Sequence, residues 1–77
     1  MNMVGALNLI MALSEDAAEE YREYMNILKN KTLHRKEREY FKLRAEESLK
    51  FFDSSIFNLA FPGKSDYIKE ELRKEFK

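Results

Sequence analysis

Acidic side chains are clustered in the first third of the sequence, and this cluster is the first candidate for chemistry. It comprises Glu15, Asp16, Glu19, Glu20 and Glu23. Carboxylate metal sites in helical bundles also need histidine, usually as Glu-x-x-His on two helices, because imidazole completes the coordination of the metal. The single histidine, His34, lies well beyond the cluster. We therefore expect no metal site and interpret the cluster as a solvated acidic surface.

Basic side chains form a second cluster near the middle of the chain. It comprises Lys29, Lys31, His34, Arg35, Lys36 and Arg38. Cations at the end of a helix are stabilised by its dipole, which is one interpretation of the cluster. The other is binding, because a compact positive surface near free backbone amides suits a phosphate or an acidic protein surface. Nucleic acid is not expected as a partner, since no aromatic side chain except Tyr40 is placed to stack on bases.

Small side chains and tyrosines occur together in a third region of the sequence. One interpretation of this region is a polar pocket between protomers. The small residues are Ser14, Ala18, Ala45 and Ser48, and the tyrosines are Tyr21, Tyr24 and Tyr40. The other interpretation is structural, because small residues let helices approach and half-buried tyrosines commonly cover a core. The sequence contains no nucleophile elbow, glycine-rich phosphate loop or histidine-based triad. We therefore predict a protein that is not an enzyme and that needs no cofactor.

Length and composition predict a single helical domain over residues 1–77, of a size at which association often supplements a small core. The absence of cysteine excludes disulfides and is compatible with the cytoplasm, where we expect the protein. Charged residues make up 36% of the chain and balance at a net charge of zero, which argues against a globally basic protein. The apolar run from Val4 to Leu13 is shorter than a membrane span and lacks the flanks of a secretory signal, so no membrane contact is expected.

The spacing of apolar residues predicts three helices, over residues 3–29, 33–61 and 65–76. The first segment is one helix or two, because Ser14 followed by acidic residues could cap a new helix. Asn30 is expected to end the first helix in a left-handed conformation and Thr32 to cap the second, which places a hairpin turn between them.

Pro62 and Gly63 should end the second helix, and Ser65 should begin the third. When the chain is folded at the turn, Met11 faces Phe52 and Val4 faces Leu59, so the two apolar faces coincide. The predicted fold is therefore all-α, a long antiparallel helical hairpin followed by a short C-terminal helix.

More apolar surface lies on the second helix than one neighbour can cover, so we expect a homodimer or a higher oligomer, assembled as a helical bundle. The C-terminal helix packs either in its own chain or in a neighbour. The residues expected at the oligomer interface are Phe51, Phe52, Ile56, Phe57, Leu59 and Phe61.

The second half of the chain contains a short pattern of aromatic and helix-ending residues. Its elements are Tyr40 or Phe41, then Phe52, and finally Leu59, Ala60 and Pro62. This run resembles the second helix of phage helical-hairpin proteins that sequester cyclic nucleotide signals of bacterial immunity. The sequence departs from that family at Asp53, where the family has an apolar residue, and at Phe57, where it has an arginine.

The resemblance implies a homo-oligomeric sponge that binds a phosphate-bearing signal between protomers without chemistry. It also implies that Tyr21, Arg22 and Lys29 contact the ligand. The broader interpretation is a small homo-oligomer that binds a macromolecular partner through the basic cluster. In that interpretation the protein itself could be an inhibitor encoded by a phage or mobile element. A structural or scaffolding protein is the third alternative. The partners expected are thus a second copy of the chain and either a protein or a cyclic nucleotide.

Overall fold

The computed structural model describes residues 3–77, in which helices pack along one long N-terminal helix. The helices are α1 (Met3–Leu28), α2 (Arg35–Leu49), α3 (Ser55–Ala60) and α4 (Ser65–Lys74). A short 3-10 helix, Lys50–Asp53, lies between α2 and α3. No strand is present in this part of the chain, so the prediction of an all-α fold is confirmed. The molecule is elongated, with extents of 48 × 20 × 16 Å.

The first helix is continuous through Ser14, which decides between the one-helix and two-helix alternatives. The Ser14 hydroxyl donates a hydrogen bond of 2.7 Å to the Ile10 carbonyl one turn earlier, so this side chain bonds within the helix instead of capping a new one. At a rise of about 1.5 Å per residue, α1 is about 39 Å long and spans most of the molecule.

The turn between α1 and α2 forms where predicted, but its details differ. The Asn30 side-chain oxygen accepts hydrogen bonds from the backbone N–H and the hydroxyl of Thr32, at 3.0 and 2.8 Å. The left-handed conformation expected of Asn30 is wrong, because no described residue other than glycine has a positive φ. Thr32 is not the cap either. The second helix starts at Arg35, after His34, whose backbone N–H donates to the Glu37 carboxylate at 3.3 Å.

The predicted second helix over residues 33–61 is wrong as a single element, because the chain bends at Ser54. This residue is extended, with φ −69° and ψ 153°, and its hydroxyl accepts a hydrogen bond of 3.2 Å from the Phe57 backbone N–H. The Asn58 amide donates to the carbonyls of Phe52 and Ser54, at 3.2 and 2.8 Å. The interruption is therefore stabilised by polar side chains that bond to backbone groups around the break.

The bend limits the antiparallel hairpin to α1 and α2. Near the turn the Tyr24 and Phe41 rings lie 6.1 Å apart, and further along the Ser48 hydroxyl donates to the Glu20 carboxylate at 3.4 Å. Beyond the bend, Val4 and Leu59, which the sequence predicts to face each other across the hairpin, are both exposed.

The core is formed where the 3-10 helix, α3 and α4 close over the middle of α1. Its buried apolar members are Ala17, Tyr21, Ala45, Leu49, Phe52, Phe57 and Leu72. The Phe52 and Phe57 rings meet edge to face, 5.1 Å apart at 88°. The C-terminal helix packs in its own chain, since Leu72 is buried and the Phe76 ring lies 5.9 Å from the Tyr21 ring.

Candidate interaction surfaces

The three residues implied as ligand contacts instead face the C-terminal helix. Tyr21 is only 2% exposed, and burial raises the pKa of its hydroxyl. Arg22 donates two hydrogen bonds to the Glu75 carboxylate, at 2.8 and 3.0 Å, and these bonds lower the pKa of Glu75. The Lys29 ammonium lies 5.2 Å from the centre of the Phe76 ring. These residues attach the end of α4 to α1, and Tyr21 is not on the surface that a ligand would meet.

The basic cluster is divided between a structural residue and an exposed surface. The Arg38 guanidinium donates to the carbonyls of Leu28 and Asn30, at 2.9 Å each, so it caps the end of α1. Arg35 makes only an exposed ion pair of 3.3 Å with Glu39. Lys29 lies over the Phe76 ring. The other four members are exposed at the turn, and we call them the basic tip: Lys31, His34, Arg35 and Lys36.

The bend at Ser54 also changes the predicted oligomer interface. Phe52 and Phe57 are each 1% exposed within a single protomer, so these two residues are not available to a partner and their assignment is corrected. Phe51 and Phe61 are partly buried against the same core. Of the predicted set, Ile56 and Leu59 remain well exposed, and Leu59 is 82% exposed.

Exposed apolar side chains are concentrated at the end of the molecule opposite the basic tip. The chain carries no charged residue from position 3 to position 14 or within α3, and α3 lies against α1. We call six of the exposed large side chains of these two segments the apolar end: Leu7, Leu9, Met11, Leu13, Ile56 and Leu59. An apolar helix surface of this kind is typical of one that another element covers.

A groove of about 550 Å³ lies between the middle of α1 and α4, and we call it the acidic groove. Apolar side chains line its floor: Ala18, Phe52, Ile68 and Leu72. Five carboxylates line it as well: Glu15, Asp16 and Glu19 from α1, Glu71 from α4, and Glu75 directly after α4. The only cation in its lining is Arg22, which is bound to Glu75.

Sequence reasoning recognised only the α1 side of the acidic groove. A signal for the other side was present, because Glu71 and Glu75 repeat the four-residue spacing of Glu15 and Glu19. That spacing shows which residues share a side of α4, but it does not show that this side meets α1.

Asp53 forms a polar junction that the sequence analysis also missed. Its carboxylate lies 2.7 Å from the Lys69 ammonium and accepts a hydrogen bond of 2.8 Å from the Ser65 hydroxyl. The hydrogen bond from Lys69 is the main cause that lowers the pKa of Asp53, and the hydrogen bond from Ser65 is the next. The contact with Asp53 in turn raises the pKa of Lys69. The junction ties the 3-10 helix to the start of α4, and so helps to position one wall of the acidic groove.

Neither a metal site nor a membrane-spanning helix is found in the described part of the chain. Within residues 3–77, no three His, Asp or Glu side chains are grouped so that they could hold a metal ion. None of the helices there combines the length and the apolar character needed to cross a bilayer.

Comparison with known proteins gives no relative from which a function could be transferred. No protein-family model matches the sequence, and no curated protein or solved structure matches it. The resemblance to phage sponge proteins therefore stays a prediction, and the function has to be argued from the surfaces described above.

Proposed function

We propose that this protein is a non-enzymatic binding protein that acts as a homo-oligomer joined through the apolar end. The observation that carries this proposal is the exposure of Leu59, Leu9 and their neighbours on two charge-free segments of a chain in which 36% of residues are charged. Burying a fully exposed side chain of this kind stabilises an assembly by about 1.5–3 kcal/mol. The side chains of the apolar end are between 38% and 82% exposed, so each contributes only part of that amount. Leu7 and Met11 lie on one side of α1 and Leu9 and Leu13 on the other, since successive helical residues are about 100° apart. One partner therefore covers only part of the apolar end, and a bundle of several copies covers more of it against the entropy cost of association.

A second copy of the chain is the occupant that suits the apolar end best. Two identical charge-free surfaces can meet about a two-fold axis without burying an unpaired charge, whereas contact with almost any other part of this chain would bury one. The basic tip and the acidic groove lie outside the apolar end, so both remain free in such an assembly. The oligomer would thus present paired charged surfaces to a macromolecular partner.

The small-molecule sponge receives less support from the geometry. Tyr21 is buried and Arg22 is bound to Glu75, so two of the three expected ligand contacts are occupied within the protomer. The acidic groove would repel a phosphate. A thermal-shift series with cyclic di- and trinucleotides tests this alternative, because a ligand at a hundred times its dissociation constant adds about 2.7 kcal/mol of stability. A clear stabilisation would favour the sponge over the present proposal.

The test of self-association is the molar mass in solution, measured by light scattering over a range of protein concentrations. We expect one closed oligomer for the natural sequence and a shift to monomer for Leu59→Ser. Leu43→Ser is the matched control, because Leu43 is 58% exposed on α2, outside the apolar end, and its replacement should leave the mass unchanged.

Two results would contradict the proposal: a monomer at every concentration, or a Leu59→Ser protein with the mass of the natural one. A mass that keeps rising with concentration would instead support the scaffolding alternative, since closed symmetry gives a fixed subunit number.

A further inference from the structure

The acidic groove combines an apolar floor with rims of one charge. Phe52 and Leu72 form the deepest part of the floor and are 1% and 4% exposed. Ala18 and Ile68, both half-buried, extend the floor toward solvent. A volume of about 550 Å³ is within the usual range of ligand-binding clefts, so the groove has room for apolar side chains of an occupant.

The rims carry negative charge that the protomer itself leaves mostly unpaired. Glu15, Asp16 and Glu19 make no ion pair within 4 Å with any residue between positions 3 and 77, and Glu19 acts on Arg22 only through the longer-range attraction of its charge. Across the groove, Glu71 is paired only with Lys74 of its own helix, at 3.5 Å. Carboxylates on both sides of a concave surface reinforce one another's potential, and that potential attracts cations.

The shape of the groove favours a helix as the occupant. The α1 wall runs from Ser14 to Arg22, about 12 Å at 1.5 Å per residue, which is a little more than two helical turns. A helix lying between two others buries residues at positions i, i+3, i+4 and i+7, and it directs the flanking positions to both rims. Tyr67 lies at the groove and is 64% exposed, so its ring is available to an incoming apolar side chain.

We propose that the acidic groove binds a basic amphipathic helix of another protein. Its apolar side would cover Ala18, Ile68 and Tyr67, and its lysines and arginines would pair with Glu15 and Glu19 on one rim and Glu71 on the other. Charge complementarity selects this occupant, because a neutral helix would leave the rim carboxylates partly desolvated without partners and an acidic one would be repelled. The inference rests on the binding function proposed above and names the partner class for it.

The probe for this proposal is a synthetic amphipathic peptide of about 18 residues, long enough to form a helix, with leucines at i, i+3, i+4 and i+7 and lysines on both flanks. Two control peptides have the same composition in scrambled order, or glutamate in place of lysine. Binding is measured by calorimetry, and the site is mapped by amide chemical shifts of the labelled protein. We expect the largest shift changes within residues 14–22 and 65–75, and weaker binding when NaCl is raised from about 0.05 to 0.5 M.

Matched variants of the protein separate a specific site from general attraction of a basic peptide. Glu19→Lys and Tyr67→Ser should each weaken binding about tenfold or more, because one reverses a rim charge and the other removes an apolar contact. Glu70→Lys carries the same charge change as Glu19→Lys at an exposed position of α4 that does not line the groove. It should therefore bind the probe much more tightly than Glu19→Lys.

The proposal is overturned if the peptide changes amide chemical shifts mainly outside residues 14–22 and 65–75, or if the scrambled peptide binds as tightly as the amphipathic one. It is also overturned if Glu19→Lys and Glu70→Lys weaken peptide binding equally. Absence of any binding by the amphipathic peptide would also overturn it. The groove shares no residue with the apolar end. A failed peptide experiment therefore leaves self-association intact, and a monomeric protein that still binds the peptide would contradict only the oligomer.

Discussion

A substitution of Phe57 tests whether the phenylalanine core lies within one protomer or is shared between protomers. Its ring lies 5.1 Å from Phe52, 5.3 Å from Phe61 and 6.0 Å from Phe51, and the residue is 1% exposed. Replacement of a buried phenylalanine by alanine costs about 3–5 kcal/mol, through lost burial and the cavity left behind. A 77-residue chain at about 0.05–0.15 kcal/mol per residue has only about 4–12 kcal/mol in total. Phe57→Ala should therefore lose between a quarter of the stability and all of it.

Phe57→Leu is the variant for the measurement, because it keeps an apolar side chain and should lose only about 1–2 kcal/mol. The assay is urea unfolding followed by far-ultraviolet circular dichroism at two protein concentrations. The loss should be the same at both, since the contacts made by Phe57 lie within one chain. Leu59→Ala in the same helix is the control and should change the stability of the dilute protein by less than about 0.5 kcal/mol.

The reasoning is refuted if Phe57→Leu unfolds at the same urea concentration as the natural protein. It is equally refuted if the loss disappears on dilution, because a concentration-dependent loss would place Phe57 at an oligomer interface.

Two further predictions concern polar contacts that position the helices. The pKa of Asp53 is lowered in the folded state by its contacts with Lys69 and Ser65. These contacts therefore stabilise the fold fully at pH values above the usual aspartate pKa of about 3.9. The stabilisation is lost as the pH falls through the lowered pKa of the folded state. The difference in urea midpoint between the natural protein and Asp53→Asn should therefore be constant near neutral pH and shrink below about pH 4, and a difference that persists in acid would contradict this account. Arg38→Ala should lower the free energy of unfolding by about 1–2 kcal/mol in the same assay, because the guanidinium donates to two carbonyls at the end of α1. Arg35→Ala is the control and should lower it by less than about 0.5 kcal/mol, since Arg35 makes only an exposed ion pair. Equal losses would argue against a capping role for Arg38.

The elements that sequence reasoning located correctly are those with strong local signals. The first helix follows a sustained spacing of three and four residues. The stop before α4 falls at Pro62 and Gly63 as predicted, and Gly63 has a φ of 75° that glycine adopts readily. Ser65 begins α4 as expected. These signals act over a few residues, so they are readable without knowledge of the rest of the fold.

The bend at Ser54 shows where such reasoning stops. Phe52, Ile56 and Leu59 are spaced as on one side of a continuous helix. That spacing hides the break, after which Phe57 is buried and Ile56 and Leu59 are exposed. A local signal was present, because a serine at position 54 can accept from the backbone three residues later and Asn58 can bond to freed carbonyls. The signal competes with helical periodicity, and packing of the phenylalanine rings over α1 decides between them.

Residue types and their spacing were enough to predict the helical class, the place of the turn and the charge-free start of α1, because these features depend on signals within a few helical turns. The burial of Phe57, the exposure of Leu59 and the joining of carboxylates from α1 and α4 in one groove follow only from how the helices pack. Periodicity shows that a helix has an apolar or an acidic side, but it does not show which neighbour covers that side, since contacts between distant segments depend on how the whole chain packs.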